Sequence, residues 1–512
     1  MEEKKPDRII GEVIEADTEK GIFVKIAQEV ESVKQGMPIC VQSERFTYFC
    51  VIEQIASRLD KGMQGIAGSG IESEALEKMQ PYYYGSLMNV IKLNCLRKVD
   101  NKTNSVFPFD SIPPSFARCI PMQKSVYEKV YEIDQASIIG CLRDFADYPI
   151  SINLDNLTET SFALFGTTGS GKSILFKLLV LKLIETRTCQ VLILDPQHEY
   201  GMSSPDGMPG LKLLFPNQVV LFAMDASGDK TLRINPDNLQ LHDFTAIIDD
   251  LSEPAIYALQ NYNRVKAQRS LREVIFDTSV NVNAHEATLN ALRARIRAIT
   301  SFDFFDETID RKKDSLQDLK RAIIDERKSV VIDLGKYGTK PFAYKIIAGI
   351  VARLFYDEYS NKKDKEYPRF VFALEEAHKF MNIDLFANIA REMRKFNMIL
   401  ALIDQIPSSI NSEILSQLNN RFVMKLNMDK DIDNALQGVD GGESWKGTIK
   451  RFPMPRSLHP PRSCCFIYGS CISMPSVIEV LDFMKYVQKP NNNPGNTGVM
   501  NQFDVTNMDG VL

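Results

Sequence analysis

The sequence predicts an α/β protein with a mostly parallel sheet, a small β-barrel in front of it and a helical insertion within it. Three observations carry this. A short apolar strand runs into Gly166-x4-Gly171-Lys172-Ser173 and is followed by an apolar, Lys-spaced helical run to Ile184. Continuous apolar segments at Gln190–Asp195, Ser329–Leu334, Phe370–Leu374 and Met398–Ile403 have the character of strands buried on both faces of a parallel sheet. Before them, short strand-like runs alternate with turn residues at close intervals, the signature of a small antiparallel barrel.

The barrel strands are expected at Ile9–Ile14, Ile22–Ile26, Pro38–Val41, Phe46–Ile55 and Val90–Leu96, punctuated by Gly21, Gly36 and Gly65 to Gly70. Pro108, Pro113, Pro114 and Pro121 mark a linker or wrap. The expected division is a barrel with linker over 1–120, core over 121–240 and 326–485, a helical insertion over 241–325, and a flexible, Asn/Pro-rich tail over 486–512. In the insertion, Leu289, Leu292, Ile296 and Ile299 fall at helical spacing, which leaves Arg293, Arg295 and Arg297 for the solvated face.

The composition is that of an ordinary globular chain: 512 residues, 44% hydrophobic and 25% charged. A net charge of −5 excludes a protein that coats nucleic acid wholesale, though not a locally basic channel. Nine scattered cysteines without a CxxC pair fit free thiols in a reducing compartment. With no signal peptide and no membrane-length apolar run, a cytoplasmic protein without membrane contact is expected.

The loop's spelling follows from phosphate chemistry. Glycines permit a tight turn and close backbone approach, so that N–H groups and a helix N-terminus face phosphate oxygens. Gly166, Thr167, Thr168, Gly169, Ser170, Gly171, Lys172 and Ser173 are therefore the expected ATP contacts, with Lys172 on the β/γ oxygens and the Ser173 hydroxyl on Mg²⁺. Roughly 200 residues later, an apolar strand ends in Glu375-Glu376. One carboxylate suits the Mg²⁺ shell and the next the attacking water. Gln405, at the end of the Met398–Ile403 strand, is placed to sense the γ-phosphate. The stripe Phe386, Ile389, Ala390 and Met393 turns Arg391, Arg394 and Lys395 outward. Lys266, Arg269 and Arg272 are further candidate contacts for a pore.

Taken together, the barrel, Gly166-Thr-Thr-Gly-Ser-Gly-Lys-Ser173, Leu194-Asp-Pro-Gln-His-Glu-Tyr200, Glu375-Glu-Ala-His378, Arg391-Glu-Met-Arg-Lys-Phe396 and Asp404-Gln-Ile-Pro-Ser-Ser-Ile410 occur in one order. In this the chain resembles the HerA family of the HerA/FtsK group over about residues 8–480. The resemblance implies a RecA-like core, a homo-hexameric ring, double-stranded DNA in the pore, and a partner nuclease or anti-phage defence effector. It also implies Glu376 as catalytic glutamate, Glu375 where the family usually has Asp, Gln405 as sensor, and Arg391 or Arg394 reaching a neighbouring subunit's site. Two departures, Thr160 where many members have Arg and Asp404-Gln-Ile-Pro for Thr-Gln-Arg-Pro, lean toward a divergent, defence-type member. They also admit an alternative: an ATP-gated scaffold that activates an effector without processive translocation.

Overall fold

The computed structural model describes residues 9–488 apart from 28–30, 32, 60–86, 248–250, 338–340, 362–366, 381–383, 440–441 and 459–461. The chain divides into two compact units, residues 1–133 with 141–150, and residues 134–140 with 151–512.

In the first unit β1 (Gly11–Asp17), β2 (Gly21–Ile26), β3 (Pro38–Gln42), β4 (Phe46–Leu59), β5 (Leu87–Asp100) and β7 (Arg118–Pro121) form a closed ring. The order is β2-β1-β7-β3-β4-β5, and β2 pairs back onto β5. Closure leaves no open edge within the ring, which is the physical advantage of a barrel over a flat sheet of this size. Alternating residues such as Val13, Ile22, Val24, Ile39, Val41, Ile52, Ile91 and Leu93 fill the interior. The Pro-punctuated stretch is more than a linker. Its β7 sits between β1 and β3 and completes the ring, while β6 (Val106–Pro108) pairs along β5. Proline is tolerated there because it lies at strand ends, where no ladder N–H is needed. Gly65 to Gly70 lie outside the described residues. All nine cysteines are buried thiols outside any disulfide.

Two strands, β8 (Ile138–Leu142) and β9 (Phe145–Ser151), follow in the chain, so more than a linker precedes the phosphate-loop strand. The second unit is organised on β10 (Phe162–Phe165), β11 (Gln190–Asp195), β12 (Val219–Ala223), β13 (Lys230–Thr231), β14 (Ser329–Asp333), β15 (Phe370–Glu375), β16 (Met398–Asp404), β17 (Asn420–Val423), β18 (Cys464–Tyr468) and β19 (Ser476–Val480). Their order is β13-β12-β14-β11-β15-β16-β10-β17-β18-β19. Every pairing from β13 to β17 is parallel, and β17-β18 and β18-β19 are antiparallel. All four residues of β10 and all seven of β16 are buried, as strands sandwiched between helices must be. Parallel register brings the C-terminal ends of β10, β11, β15 and β16 to one edge of the sheet, where open α/β folds place ligands.

The insertion folds as helices Glu253–Val265, Leu271–Phe276 and Glu286–Thr300, the second opened by a capping box of Ser270 and Glu273. Leu289, Leu292, Ile296 and Ile299 are buried as their spacing demands. Arg293 corrects the surface expectation. It is buried, donates from Nε to the Ile275 carbonyl at 2.9 Å and pairs with Glu286 at 3.0 Å, so it staples helices together. Arg269 and Arg272 are likewise occupied within the chain, by Asp277 at 2.8 Å and by Asp237 and Glu307. The expected start of the tail at 486 falls inside a helix. Residues Phe483–Gln488 form a helix, and buried Tyr486 accepts from Lys182 at 2.5 Å and donates to Glu185 at 3.1 Å. Residues 489–512 lie outside the described residues.

Arg353 on the helix Pro341–Ser360 pairs with Asp243 at 2.7 Å, with side chains 6% and 1% exposed. Arg353→Ala strands a buried carboxylate and is expected to cost about 3–5 kcal/mol. Replacing both residues with leucine costs much less than either single loss, which urea unfolding of the three variants reads directly.

Candidate nucleotide and metal site

The loop after β10 is shaped by its glycines. Gly171 has φ +101°, and a Cβ there would stand 2.2 Å from Ser463 Oγ. At Gly166 a Cβ would meet Ser170 Oγ at 2.7 Å and Met424 Cβ at 2.9 Å. Side chains at either position would push the backbone out of the cradle. The helix Lys172–Glu185 begins at once, so its N-terminus opens into the loop. The loop is pinned from behind: Thr167 donates its N–H to the Lys425 carbonyl at 2.8 Å, and Gly166 donates to that of Asp404 at 3.2 Å.

Lys172 folds over this loop and donates to the carbonyls of Gly166 at 2.6 Å and Thr167 at 3.1 Å. Those carbonyls hold the ammonium where phosphate oxygens would otherwise accept from it. Burial pushes the Lys172 ammonium down to about 8, against the opposing pull of Glu375, Asp404, Glu199 and Glu376.

Ser173 Oγ donates to Glu375 Oε1 at 3.4 Å, so the two expected metal ligands are adjacent. Tyr200 also donates to Glu375 Oε1, at 3.3 Å, and Tyr344 fixes the strand end by donating to the Glu375 carbonyl at 2.9 Å. Glu375 Oε2 is buried with no hydrogen-bond partner among the described residues, as is Oε2 of nearby Glu199. Burial, then the charges of Glu199, Asp195 and Glu376, hold the Glu375 carboxyl well above the usual carboxylate range. An orphaned oxygen in a crowd of carboxylates is a place where a hard divalent cation fits. No group of three or more His, Cys, Asp or Glu among the described residues could hold a metal alone. Ser173 and Glu375 would therefore share Mg²⁺ with phosphate oxygens and water, and the ion would neutralise charge on the phosphates.

Glu376 is held at φ +51°, a strained setting for a non-glycine residue. Its Oε1 accepts from Gln197 Nε2 at 2.7 Å, and its Oε2 is ion-paired with Lys379. Gln405 reaches the loop: its Oε1 accepts from Thr168 Oγ1 at 2.5 Å. Asp404 is spent on structure. It accepts the N–H groups of His378 at 2.6 Å and Ile406 at 2.7 Å, and lies 3.0 Å from His378 Nδ1, raising the imidazole's proton affinity.

Lys172, Ser173, Glu375, Glu376 and Gln405 thus converge. Arg391 and Arg394 do not join them within the chain. Both lie on the exposed side of the segment whose stripe Phe386, Ile389, Ala390 and Met393 is buried, and Arg391 is paired with Glu413 and donates to Asn388 Oδ1 at 2.6 Å. Sequence reasoning missed Gln197, Glu199, Tyr200, Tyr344 and Lys379 as site residues. The signal for the first three was the polar run at the C-terminal end of β11, whose turn Asp195 organises by accepting from the N–H groups of Gln197, Glu199 and Tyr200. Burial pushes Asp195 itself up to about 6.

A proton linkage follows from Lys172. Its charged form is needed for phosphate, and in the free protein it is lost as pH rises through about 8. Affinity for a non-hydrolysable ATP analogue is expected to be flat below pH 7 and to weaken above pH 8 by up to about tenfold per unit. Lys172→Arg, which stays protonated, should flatten the profile in a fluorescence titration.

Residues 137–354 match the family model described as the central domain of the helicase HerA. A probable helicase of Methanocaldococcus jannaschii is 22% identical over 458 residues, 80% of each chain. The DNA double-strand break repair helicase HerA of Pyrococcus furiosus is 21% identical over 398 residues, 67% of this chain and 69% of its own. Among solved structures, the plasmid coupling protein TrwB with a non-hydrolysable ATP analogue aligns over 74% of this chain and 96% of its own, at 11% identity and a TM-score of 0.49. Residues 137–354 are thus similar to the HerA central domain, the curated relatives extend that similarity beyond it, and the chain is a P-loop ATPase.

Proposed function

We propose that the chain is an ATP-driven motor on double-stranded DNA, acting as a homo-hexameric ring beside a partner nuclease or defence effector. The observation that carries the reading is the adjacency of Ser173 and Glu375 beneath the phosphate loop, with Glu376 one residue on and Gln405 bonded to Thr168. In this reading Mg·ATP lies on Gly166–Ser173, Glu376 orients the attacking water, Gln405 senses the γ-phosphate, and an arginine from the next subunit stabilises transition-state charge. Relatives described as DNA double-strand break repair helicases support DNA as the track. No helix among the described residues is long and apolar enough to cross a membrane.

A second reading, the ATP-gated effector scaffold, is favoured by the net charge of −5 and by the capture of Arg269 and Arg272 in ion pairs. Salt-sensitive, sequence-independent DNA affinity separates the two, because phosphate contacts weaken steeply as salt rises.

The first test is steady-state ATP hydrolysis with and without linear duplex DNA. Stimulation by DNA that disappears in Glu376→Gln is expected of the motor, whereas turnover indifferent to DNA favours the scaffold. Arg394 is exposed and Arg391 is already paired, so Arg394→Ala should lose about 10³-fold or more and Arg391→Ala much less. Full turnover in both variants would remove the trans-arginine assignment.

A further inference from the structure

Both oxygens of the Glu376 carboxylate are engaged, Oε1 by Gln197 and Oε2 by Lys379 three residues on. The contrast with its neighbour is sharp, since Glu375 Oε2 has no hydrogen-bond partner among the described residues. The carboxylate expected to orient water is therefore partnered on both oxygens, and the one expected at the metal on one. A carboxylate that orients an attacking water must turn an oxygen toward it and accept its hydrogen bond. With Oε2 turned to an ammonium, Glu376 is directed along its own backbone turn.

The two donors differ in how firmly they are placed. Gln197 stands on a turn whose N–H groups at 197, 199 and 200 are tied to buried Asp195, so its position is set by the sheet edge. Lys379 sits on the short turn Ala377–Phe380, with a flexible stem and a side chain 24% exposed. Its ammonium can return to water at small cost, because partly exposed ion pairs are weak. The Gln197 contact thus springs from an exposed side chain on an anchored backbone turn, and the Lys379 contact from a long flexible stem.

We propose that Lys379 is a latch on Glu376: it holds the carboxylate away from the attacking water, and its release hands Glu376 to the orientation set by Gln197. Gln197 is then a positioning residue and Lys379 an inhibitory one. The inference rests on the reading of Glu376 as the water-orienting residue, and it goes beyond that reading by naming what restrains it.

The test is steady-state ATP hydrolysis by the full chain, with binding of a fluorescent non-hydrolysable ATP analogue measured alongside. Lys379→Met and Lys379→Gln are expected to raise kcat several-fold with KM and analogue affinity unchanged. Lys379→Arg, which keeps the cation, should restore the low rate, and Gln197→Ala should lower kcat. Unchanged or lower kcat in both neutral variants, while Glu376→Gln abolishes turnover, would overturn the latch and leave the role of Glu376 standing. Wild-type turnover in Glu376→Gln would instead overturn the reading beneath it.

Discussion

Asp195, Glu199, Glu375 and Glu376 crowd the C-terminal edge of one sheet, and the repulsion among buried carboxylates is the constraint to which the rest of the site answers. Burial raises Asp195 and Glu375, and each nearby carboxylate adds to the effect on Glu375. Such a cluster persists only if its members are hydrogen-bonded or meet a cation. Asp195 is satisfied by three backbone N–H groups, Glu375 by Tyr200 and Ser173 on one oxygen, and Glu376 by Gln197 and Lys379. Among the described residues Glu375 Oε2 and Glu199 Oε2 find no hydrogen-bond partner, and the former, beside Ser173, is where a magnesium ion has most to offer.

The parallel sheet makes this crowding possible. Four strands in register bring Asp195, Glu375, Asp404 and the phosphate loop to one edge, where the burial of those carboxylates and of Lys172 makes charge matter. The phosphate loop is the counterweight, combining a lysine and a helix N-terminus in the same place. Lys172 on its own loop carbonyls and the paired oxygens of Glu376 have a common logic: each charged group is partnered by the chain itself.

Elsewhere the chain spends its cations on stability. Arg293 and Arg353 are buried and paired, and Arg421 donates to the carbonyls of Leu415, Leu418, Ala435 and Gln437. Counting arginines from the sequence therefore overstates the positive surface open to a polyanion. Arg394 and Lys395 are exposed, as the apolar stripe beside them requires.

The sequence alone determined the sheet class, the phosphate loop and the paired glutamates, because each is written in local spacing: continuous apolar runs, fixed glycines, and carboxylates at a strand end. It also placed the barrel strands closely, though β7 was hidden because proline-rich segments read as connections and its partners are remote in the chain. Burial of Arg293 could not be read either, since helical periodicity sorts apolar residues and says nothing of a guanidinium that finds a carbonyl on a neighbouring helix. Only the tertiary structure decided which groups touch: Gln197 and Lys379 on Glu376, Tyr200 on Glu375, Gln405 on Thr168. Apart from Lys379 on Glu376, those contacts join residues far apart in sequence, and in every case a bond of a few ångströms depends on how strands and turns pack rather than on the spelling of either one.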